Sequence, residues 1–189
     1  MNIGILGLQG CFGPHQKLFQ SLGATVSRVV NPDDMGEVDA LVLPGGESST
    51  MLKTAASGLW PVLAEFARKR PVWGICAGCI LLAQRVTRPD QQSLGVMDID
   101  VMRNAYGAQN ESFIARVPVN LERIENHECV FIRAPKIVRV GPGLRVNAHH
   151  GDDPVMVEDD LHMVTTFHPE LTGDTTFHEH FMRKVSAAV

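Results

Sequence analysis

One short segment constrains the fold of this chain more than any other. The apolar run Val72–Ile75 leads into Gly-Ile-Cys-Ala-Gly at residues 74–78, and a helix-compatible segment, Ile80–Val86, follows at once. A buried strand, a tight turn with one reactive side chain and a departing helix together form a nucleophile elbow. The glycines at positions 74 and 78 suit such a turn, because a Cβ at either position would clash where the chain folds back.

Cys76 is the reactive residue of this predicted elbow. Its position at a helix N-terminus favours the thiolate form, because unpaired N–H groups and the positive dipole end lie there. Two other interpretations compete: a buried cysteine is usually inert, and Cys76-x-x-Cys79 also resembles a redox pair or half a zinc site. Cys11 and Cys129 are isolated in the sequence, which disfavours zinc. The redox interpretation stays open at this point.

Composition is typical of an ordinary globular protein. The 189 residues suffice for one domain, 1–189, with 44% hydrophobic and 20% charged residues. A net charge of −4 gives no reason to expect a nucleic-acid or anionic-membrane partner. Four cysteines without a framework spacing fit a reducing compartment, and no apolar run approaches the ~18 residues of a membrane span. We therefore expect a cytoplasmic protein with no membrane partner.

The first half of the chain alternates predicted strands and helices. Strands are expected at Asn2–Leu8, Thr25–Val30 and Val38–Leu43, and helices at His15–Leu22, Thr50–Ala56 and Trp60–Lys69. This alternation predicts a parallel sheet with helical crossovers. In such sheets functional residues gather on the loops after the carboxyl ends of strands, where both Cys76 and the loop after Leu43 fall.

The second half of the chain reads as a mixed or antiparallel extension. Short predicted strands separated by Gly, Pro and Asn turns lie at Met97–Met102, Ser112–Val117, Cys129–Ile132, Ile137–Val140, Arg145–Ala148, Val155–Glu158 and Met163–Phe167. A terminal helix is predicted at Phe177–Val185, which would place His178 and His180 on the surface.

A cysteine nucleophile needs a base, and the base usually needs an orienting group. Among eight histidines, His168 stands out because it follows a strand-like run and opens His168-Pro169-Glu170. The proline fixes the local backbone, so that Glu170 can turn back toward the imidazole. The histidine pair at 149–150 has only turn aspartates nearby.

Two further elements have both a plain and a functional interpretation. The segment Gly45-Gly46-Glu47-Ser48 is either a turn that caps the next helix or a loop whose N–H groups face an oxyanion beside Cys76. Arg103 and Arg133, each at a strand end, are either exposed charges or grips for a substrate carboxylate.

With these residues in hand, the chain resembles the class I, or triad, glutamine amidotransferases. Within that class it is most similar to the glutaminase subunits of pyridoxal 5′-phosphate synthase. The strings that carry the resemblance span the whole chain: residues 7–10 (Gly-Leu-Gln-Gly), 43–51 (Leu-Pro-Gly-Gly-Glu-Ser-Ser-Thr-Met), 76–78, 103–104, 131–135 (Phe-Ile-Arg-Ala-Pro) and 167–172 (Phe-His-Pro-Glu-Leu-Thr).

The resemblance implies a fold, a mechanism and a partner. The fold would be α/β: a three-layer, flavodoxin-like, doubly wound and mostly parallel sheet with a mixed or antiparallel extension. The implied triad is Cys76, His168 and Glu170, and it hydrolyses L-glutamine to L-glutamate and ammonia for a separate (β/α)8-barrel synthase subunit. No metal or cofactor is expected.

The remaining implied site residues fall into three groups. Glutamine binding is expected from Gly46, Glu47, Ser48, Arg103, Ile132 and Arg133. Oxyanion stabilisation is expected from backbone N–H groups of Gly45, Gly46 and Ala77, and the partner interface from Gln9 and Gly10.

Three positions depart from the family pattern, and none belongs to the triad. Gly13-Pro14 stands where an acidic residue often precedes the histidine near position 15, Cys79 replaces an apolar residue, and Thr175-Thr176-Phe177 lacks the usual arginine. The rival hypotheses are a redox protein that uses Cys76 and Cys79, a non-catalytic binding subunit, and the glutaminase of another amidotransferase, such as that for imidazole glycerol phosphate.

Overall fold

The computed structural model describes residues 1–55, 58–103, 105 and 112–188. Its α-helices are α1 (Phe12–Ser21), α2 (Ser48–Ala55), α3 (Leu59–Ala67), α4 (Ala77–Leu82) and α5 (Thr176–Ala187). Short 3-10 helices cover Pro32–Met35 and Pro169–Leu171. Among the described residues, no helix is long and apolar enough to cross a bilayer.

Strands alternate with these helices in the first half of the chain and follow one another in the second. They are β1 (Asn2–Leu6), β2 (Thr25–Val29), β3 (Ala40–Leu43), β4 (Val72–Ile75), β5 (Ala83–Thr87), β6 (Met97–Met102), β7 (Ser112–Asn120), β8 (Ile124–Ile132), β9 (Lys136–Val140), β10 (Arg145–His150), β11 (Asp153–Glu158) and β12 (Met163–Thr165).

Over the described residues, the larger sheet has the strand order β2-β1-β3-β4-β12-β11-β10-β7-β8. The strands from β2 to β12 pair in parallel, and those from β12 to β8 pair antiparallel. This arrangement confirms the expected mostly parallel doubly wound sheet with an antiparallel extension.

Helices cover both faces of the parallel half and complete three layers. Helices α1 and α5 pack on one face through Phe19, Phe177 and Phe181, and α2, α3 and α4 cover the other. The neighbouring residues Val72 and Trp73 contribute to opposite cores, as expected where side chains alternate across a strand. Strand β4 is therefore buried on both faces, which explains its unbroken apolar sequence.

The predicted helix Ile80–Val86 is wrong in its second half. Helix α4 ends at Leu82, and the next five residues form strand β5, which pairs in parallel with β6. A smaller sheet of order β5-β6-β9 results. The pairing of β5 with β6, and not the helix preference of the preceding residues, decides the conformation of residues 83–87.

The order of the parallel strands positions the site. Strands β3, β4 and β12 are neighbours, and their carboxyl ends lead respectively to Gly45, Cys76 and His168. Strand β1, next to β3, leads to Cys11. Residues that lie far apart in sequence therefore meet at one edge of the sheet, as expected for parallel α/β folds.

Candidate active site

Cys76 occupies a strained turn between β4 and α4. Its φ of 49° and ψ of −99° place a non-glycine residue in a region that such residues rarely adopt. The turn is held because the Cys76 N–H donates to the Thr165 carbonyl at 2.8 Å. The thiol points toward the Ile132 carbonyl, with the sulfur 3.9 Å from that oxygen. Backbone strain at a reactive side chain is typical of a nucleophile elbow.

The steric role predicted for the flanking glycines is confirmed. A Cβ on Gly74 would lie 2.5 Å from the Gly78 carbonyl oxygen, and a Cβ on Gly78 would lie 1.9 Å from the Leu43 carbonyl oxygen. Both contacts involve backbone atoms, which cannot move aside as a side chain can. The elbow therefore requires glycine at both positions.

His168 and Glu170 form the buried pair expected from their spacing. Nδ1 of His168 lies 2.8 Å from Oε1 of Glu170, and the two residues are 4% and 5% exposed. Burial opposes protonation of the imidazole, but hydrogen bonds with Cys11, Cys76 and Glu170 outweigh burial and raise the pKa of His168 to about 12. The imidazole is therefore placed between the Cys76 sulfur and a carboxylate.

Glu170 remains ionised in this environment. Burial alone would raise the pKa of its carboxyl group, but the hydrogen bond from His168 and the nearby His15 hold that pKa below its usual value. An ionised carboxylate at Nδ1 fixes the tautomer of the histidine, so that Nε2 is free to exchange a proton with the reaction centre.

A small cavity of about 100 Å³ opens beside Cys76. All six residues predicted to bind substrate line it, together with the predicted oxyanion donor Ala77: Gly46, Glu47, Ser48, Ala77, Arg103, Ile132 and Arg133. Ile80 and Pro135 complete the described wall. Sequence reasoning therefore identified most of the residues that line this cavity.

Gly45 has a different position from the one its predicted oxyanion role suggested. It packs against the His168 ring, since a Cβ on Gly45 would lie 2.1 Å from Cε1 of that imidazole. Its carbonyl accepts a hydrogen bond from the Cys11 N–H at 3.3 Å. Its oxyanion role remains a prediction, whereas its close approach to His168 is a direct reason for glycine at this position.

Glu47 caps the next helix, as one interpretation of its loop predicted, and it also lines the cavity. Its carboxylate accepts hydrogen bonds from the N–H and hydroxyl groups of Ser49 and Thr50, which caps helix α2. Its Oε1 also lies 3.0 Å from Nη2 of Arg103, whose side chain is 13% exposed. Burial opposes ionisation, but these hydrogen bonds lower the pKa of Glu47 to about 2. The cap therefore holds a charged residue in the wall of the cavity.

Ser48 and Arg133 are held by their local structure. The Ser48 hydroxyl donates to the side-chain oxygen of Gln91 at 3.0 Å, and Arg133 has a positive φ of 44° at the end of β8. Asn104, which follows Arg103 in the family string, lies outside the described residues.

The predicted interface residues Gln9 and Gly10 are exposed and contact the loop around Gly46. The side-chain oxygen of Gln9 accepts a hydrogen bond from the Glu47 N–H at 3.3 Å. A Cβ on Gly10 would lie 1.8 Å from the Gly45 carbonyl oxygen, so the two loops are in close contact. A protein that docked on this exposed loop would thus touch the wall of the cavity.

Three residues near the triad were missed or misplaced by sequence reasoning. Cys11 lies beside His168, with its sulfur within 4.8 Å of the donor atoms of His168 and Glu170, and it was treated only as an isolated cysteine. His15 is fully buried against Glu170, and His178, expected on the surface, is 0% exposed. Cys11 could have been identified from the sequence, because it follows β1 and functional residues gather after the carboxyl ends of parallel strands. No local sequence pattern indicates that His15 and His178 are buried near the triad.

Cys79 is a core residue and takes the place of an apolar side chain. It is 0% exposed on α4, and burial together with the nearby Cys76 raises the pKa of its thiol well above the usual range. A protonated, inaccessible thiol cannot serve as the partner in dithiol exchange, which argues against the redox hypothesis.

One group of donors in the described part of the chain is compact enough to hold a metal ion. The donor atoms of Cys11, His168 and Glu170 lie within 4.8 Å of one another. His168 and Glu170 are already hydrogen-bonded to each other, so an ion bound here would replace the contact that orients the imidazole. Hydrolysis by a cysteine nucleophile makes no use of such an ion.

Comparison with known proteins decides the family. A model described as the SNO glutamine amidotransferase family matches residues 5–187. The chain belongs to this glutamine amidotransferase family. The family assignment agrees with the position of Cys76 beside the His168–Glu170 pair.

Curated relatives match this glutamine amidotransferase over nearly its full length. It is 46% identical to the pyridoxal 5′-phosphate synthase subunit PdxT of Koribacter versatilis, over 98% of this chain and 96% of the relative. It is 44% identical to the subunit of the same name from Solibacter usitatus, over 97% of this chain and 98% of the relative.

Solved structures agree with the family and the fold. A crystal structure of glutamine amidotransferase is 37% identical and superposes with a TM-score of 0.90, covering 97% of this chain and 98% of that one. A chain in the structure of PurLQS from Thermotoga maritima is 15% identical, with a TM-score of 0.69 over 99% of this chain and 96% of that one. This second likeness shows the shared fold alone.

Proposed function

We propose that this chain is the glutaminase subunit of a pyridoxal 5′-phosphate synthase. It hydrolyses L-glutamine to L-glutamate and ammonia, and a partner synthase subunit consumes the ammonia. The observation that most directly supports glutamine hydrolysis is the buried His168–Glu170 pair beside Cys76, at the edge of a small polar cavity. The identity of 46% and 44% to two PdxT subunits, over nearly the full length of the chain, supports the assignment to pyridoxal 5′-phosphate synthesis.

The reaction begins with attack of the Cys76 sulfur on the carbon of the glutamine side-chain amide. A carbon–sulfur bond forms, and the amide oxygen takes up negative charge. His168 enters this step as an imidazolium, because the Cys76 sulfur and the Glu170 carboxylate both stabilise its charge. It then donates its Nε2 proton to the departing nitrogen, and the carbon–nitrogen bond breaks to release ammonia and leave a thioester.

Water completes the cycle. Once the sulfur is acylated it no longer stabilises a positive imidazolium, so the basicity of His168 falls toward the range useful for a general base. Neutral His168 accepts a proton from water as the water attacks the thioester. The carbon–sulfur bond then breaks, which releases glutamate and regenerates the thiolate–imidazolium pair.

Oxyanion stabilisation is assigned to backbone N–H groups at the cavity wall. Ala77 is the first residue of α4, so its N–H has no partner within that helix, and Gly46 lines the same cavity. The Cys76 N–H is already used by Thr165 and cannot contribute. Preorganised donors of this kind act on charge that develops only during reaction.

The charged groups of the cavity suit the α-amino and α-carboxylate groups of glutamine. Arg103 supplies a guanidinium for the carboxylate, and Glu47 supplies a carboxylate for the ammonium group. Ile132 and Arg133, at the end of β8, also line the cavity. Gly46 and Ser48 line the same space.

The proposed partner is a (β/α)8-barrel synthase that docks over the exposed loop at Gln9 and Gly10. This loop is linked to the cavity wall, because Gln9 accepts a hydrogen bond from the N–H of Glu47, which lines the cavity. The proposal needs no cofactor on this chain and places the complex in the cytoplasm.

The proposal is tested by reconstitution. The chain is purified with a barrel-type pyridoxal 5′-phosphate synthase partner, and formation of pyridoxal 5′-phosphate is followed with glutamine as the sole nitrogen source. We expect a stable complex and glutamine-dependent synthesis. Glutamine hydrolysis without cofactor synthesis would point to a different amidotransferase partner, and no hydrolysis would contradict the proposal.

A further inference from the structure

Two buried histidines lie next to the triad, on the far side of Glu170 from Cys76. His15 on α1 and His178 on α5 are joined through Nδ1 of His15 and Nε2 of His178, 2.9 Å apart. Nε2 of His15 lies 3.4 Å from Oε2 of Glu170, and both of these side chains are 0% exposed. A continuous line of polar atoms thus runs from His168 through Glu170 and His15 to His178.

Aromatic side chains fix the orientation of both imidazoles. The ring centroid of His178 lies 4.8 Å from that of Phe19 and 5.0 Å from that of Trp73, and His15 meets Trp73 at 5.8 Å, all with steep interplanar angles. Trp73 belongs to β4, the strand that ends at Cys76. The histidines are therefore packed against the same strand that carries the nucleophile.

Both histidines are neutral near neutral pH. Burial lowers the pKa of His15 to about 4, although Glu170 opposes that shift, and burial with His15 nearby lowers the pKa of His178 to about 3. A neutral imidazole has one N–H donor and one bare nitrogen, so each ring must be in a definite tautomer.

The geometry selects one pair of tautomers. A bare Nε2 of His15 would set its lone pair against the ionised Oε2 of Glu170, whereas an N–H there would face the negative charge favourably. Nδ1 of His15 is then the bare atom and accepts a hydrogen bond from Nε2–H of His178. With this assignment Nε2–H of His15 makes an electrostatic contact with Oε2 of Glu170 at 3.4 Å that is not a hydrogen bond, and Nδ1 of His178, a neutral acceptor, is also left without a hydrogen-bond partner. An unpaired neutral acceptor is a smaller cost than a lone pair opposed to a carboxylate.

We propose that His15 and His178 are positioning residues for glutamine hydrolysis: His178 fixes the tautomer of His15, and His15 holds Glu170 so that its other oxygen stays on His168. The proposal rests on the proposed function of the chain. Oε1 of Glu170 is engaged by His168, and the buried Oε2 faces the Nε2–H assigned to His15, with 3.4 Å between the two heavy atoms. Without that N–H, rotation of the carboxylate would separate it from the imidazole.

The alternative is that the two histidines only fill the core, and two variants separate these ideas. His15→Leu fills the space without a donor, and His15→Gln keeps an N–H group that can reach Glu170. Loss of a group that orients a metal ligand typically reduces activity about 10- to 100-fold, and we take this as the scale for a group that orients a catalytic residue. We therefore expect kcat for glutamine hydrolysis to fall by about 10- to 100-fold in His15→Leu, with KM changed less than about twofold, and to recover at least partly in His15→Gln.

A third variant supplies the matched control. His162 is also buried, at 3% exposure, but it accepts a hydrogen bond from the Val72 N–H and does not contact the triad. His162→Gln should lower the melting temperature while leaving kcat unchanged. If it lowers kcat as much as His15→Leu does, or if folded His15→Leu is as active as the unaltered protein, the positioning role is wrong.

A measurement on the unaltered chain keeps the proposal testable even if a variant does not fold. Imidazole nitrogen resonances of the 15N-histidine-labelled protein should show His15 protonated at Nε2 and bare at Nδ1. Observation of the opposite tautomer would overturn the proposal. Failure of the unaltered protein to hydrolyse glutamine with its synthase partner would instead overturn the proposed function, so the two failures are distinguishable.

Discussion

Nδ1 of His168 lies 2.8 Å from Oε1 of Glu170, and both groups are buried beneath the loop that carries Gly45. The two residues are separated by a single proline, which begins a 3-10 helix that turns the carboxylate back toward the ring. Three consecutive residues thus define both the base and its orientation. The contact gives the imidazole one tautomer and presents Nε2 to Cys76.

Glu170→Gln tests the importance of charge at this contact. The amide keeps the size of the side chain but removes the negative charge that stabilises the imidazolium of His168. We expect kcat for glutamine hydrolysis to fall by about 10³- to 10⁴-fold, in line with a lost orienting carboxylate in a catalytic triad. Steady-state kinetics provide the measurement, and the exposed Glu65→Gln is the control. A loss below about tenfold would show that the carboxylate is not needed.

Gly78→Ala tests the close approach of α4 to β3. The new Cβ would lie 1.9 Å from the Leu43 carbonyl oxygen, so the backbone must shift. We expect the free energy of unfolding to fall by at least about 2 kcal/mol, as for an overpacked core, in a urea titration. Gly36→Ala is the control, because its Cβ would come no closer than 3.7 Å. Equal stability of the two variants would argue against the elbow geometry.

Arg103→Ala tests substrate recognition in the cavity. The guanidinium is nearly buried beside Glu47. Its loss would remove the proposed ionic partner of the glutamine carboxylate. We expect KM for glutamine to rise about 10- to 100-fold with a smaller change in kcat, given the worth of a charged hydrogen bond. Arg139→Ala, which breaks an ion pair with Asp98 and Asp100 elsewhere, should leave KM unchanged. A fall in kcat alone would assign Arg103 a different role.

Stability should depend on pH through the buried histidines. The pKa values of His15 and His178 lie near 4 and 3 in the folded protein, below the ordinary 6.5. The unfolded chain therefore binds more protons between pH 6.5 and 4, so their contribution is fully present above pH 6.5 and is lost as pH falls. We expect the free energy of unfolding to drop by about 1.4 kcal/mol per pH unit for each proton taken up.

Denaturant titrations at pH 7, 6 and 5 measure this dependence. His178→Phe should reduce the slope because it removes one of the titrating groups. His149→Gln, at an exposed position of β10, should leave the slope unchanged. A free energy of unfolding that is constant between pH 7 and 5 would show that the two histidines are not held neutral.

Sequence reasoning identified the parts of the site whose signals are local. Each of these signals can be recognised from a few neighbouring residues: the glycines around Cys76, the spacing of His168 and Glu170, and the pattern of parallel strands. Parallel topology then predicted that the loops after separate strands would meet. Most of the cavity wall followed from these short-range patterns together with the family resemblance.

Other features depended on contacts between distant segments. His15 and His178 are 163 residues apart, and nothing near either residue indicates that they form a buried pair. The segment after Leu82 is compatible with a helix in its local sequence, and its pairing with β6 makes it a strand. Both outcomes follow from tertiary packing, which overrides local preference.

The most direct test measures cofactor synthesis by the complex when Cys76→Ala replaces the unaltered chain. We predict that synthesis with glutamine is abolished, because no thioester can form, and that added ammonium restores it, because the partner synthase is intact. Cys79→Ala is the matched control: this residue is three positions away and buried, and its loss should leave glutamine-dependent synthesis in place. Glutamine-dependent synthesis that survives in Cys76→Ala would contradict the proposed mechanism.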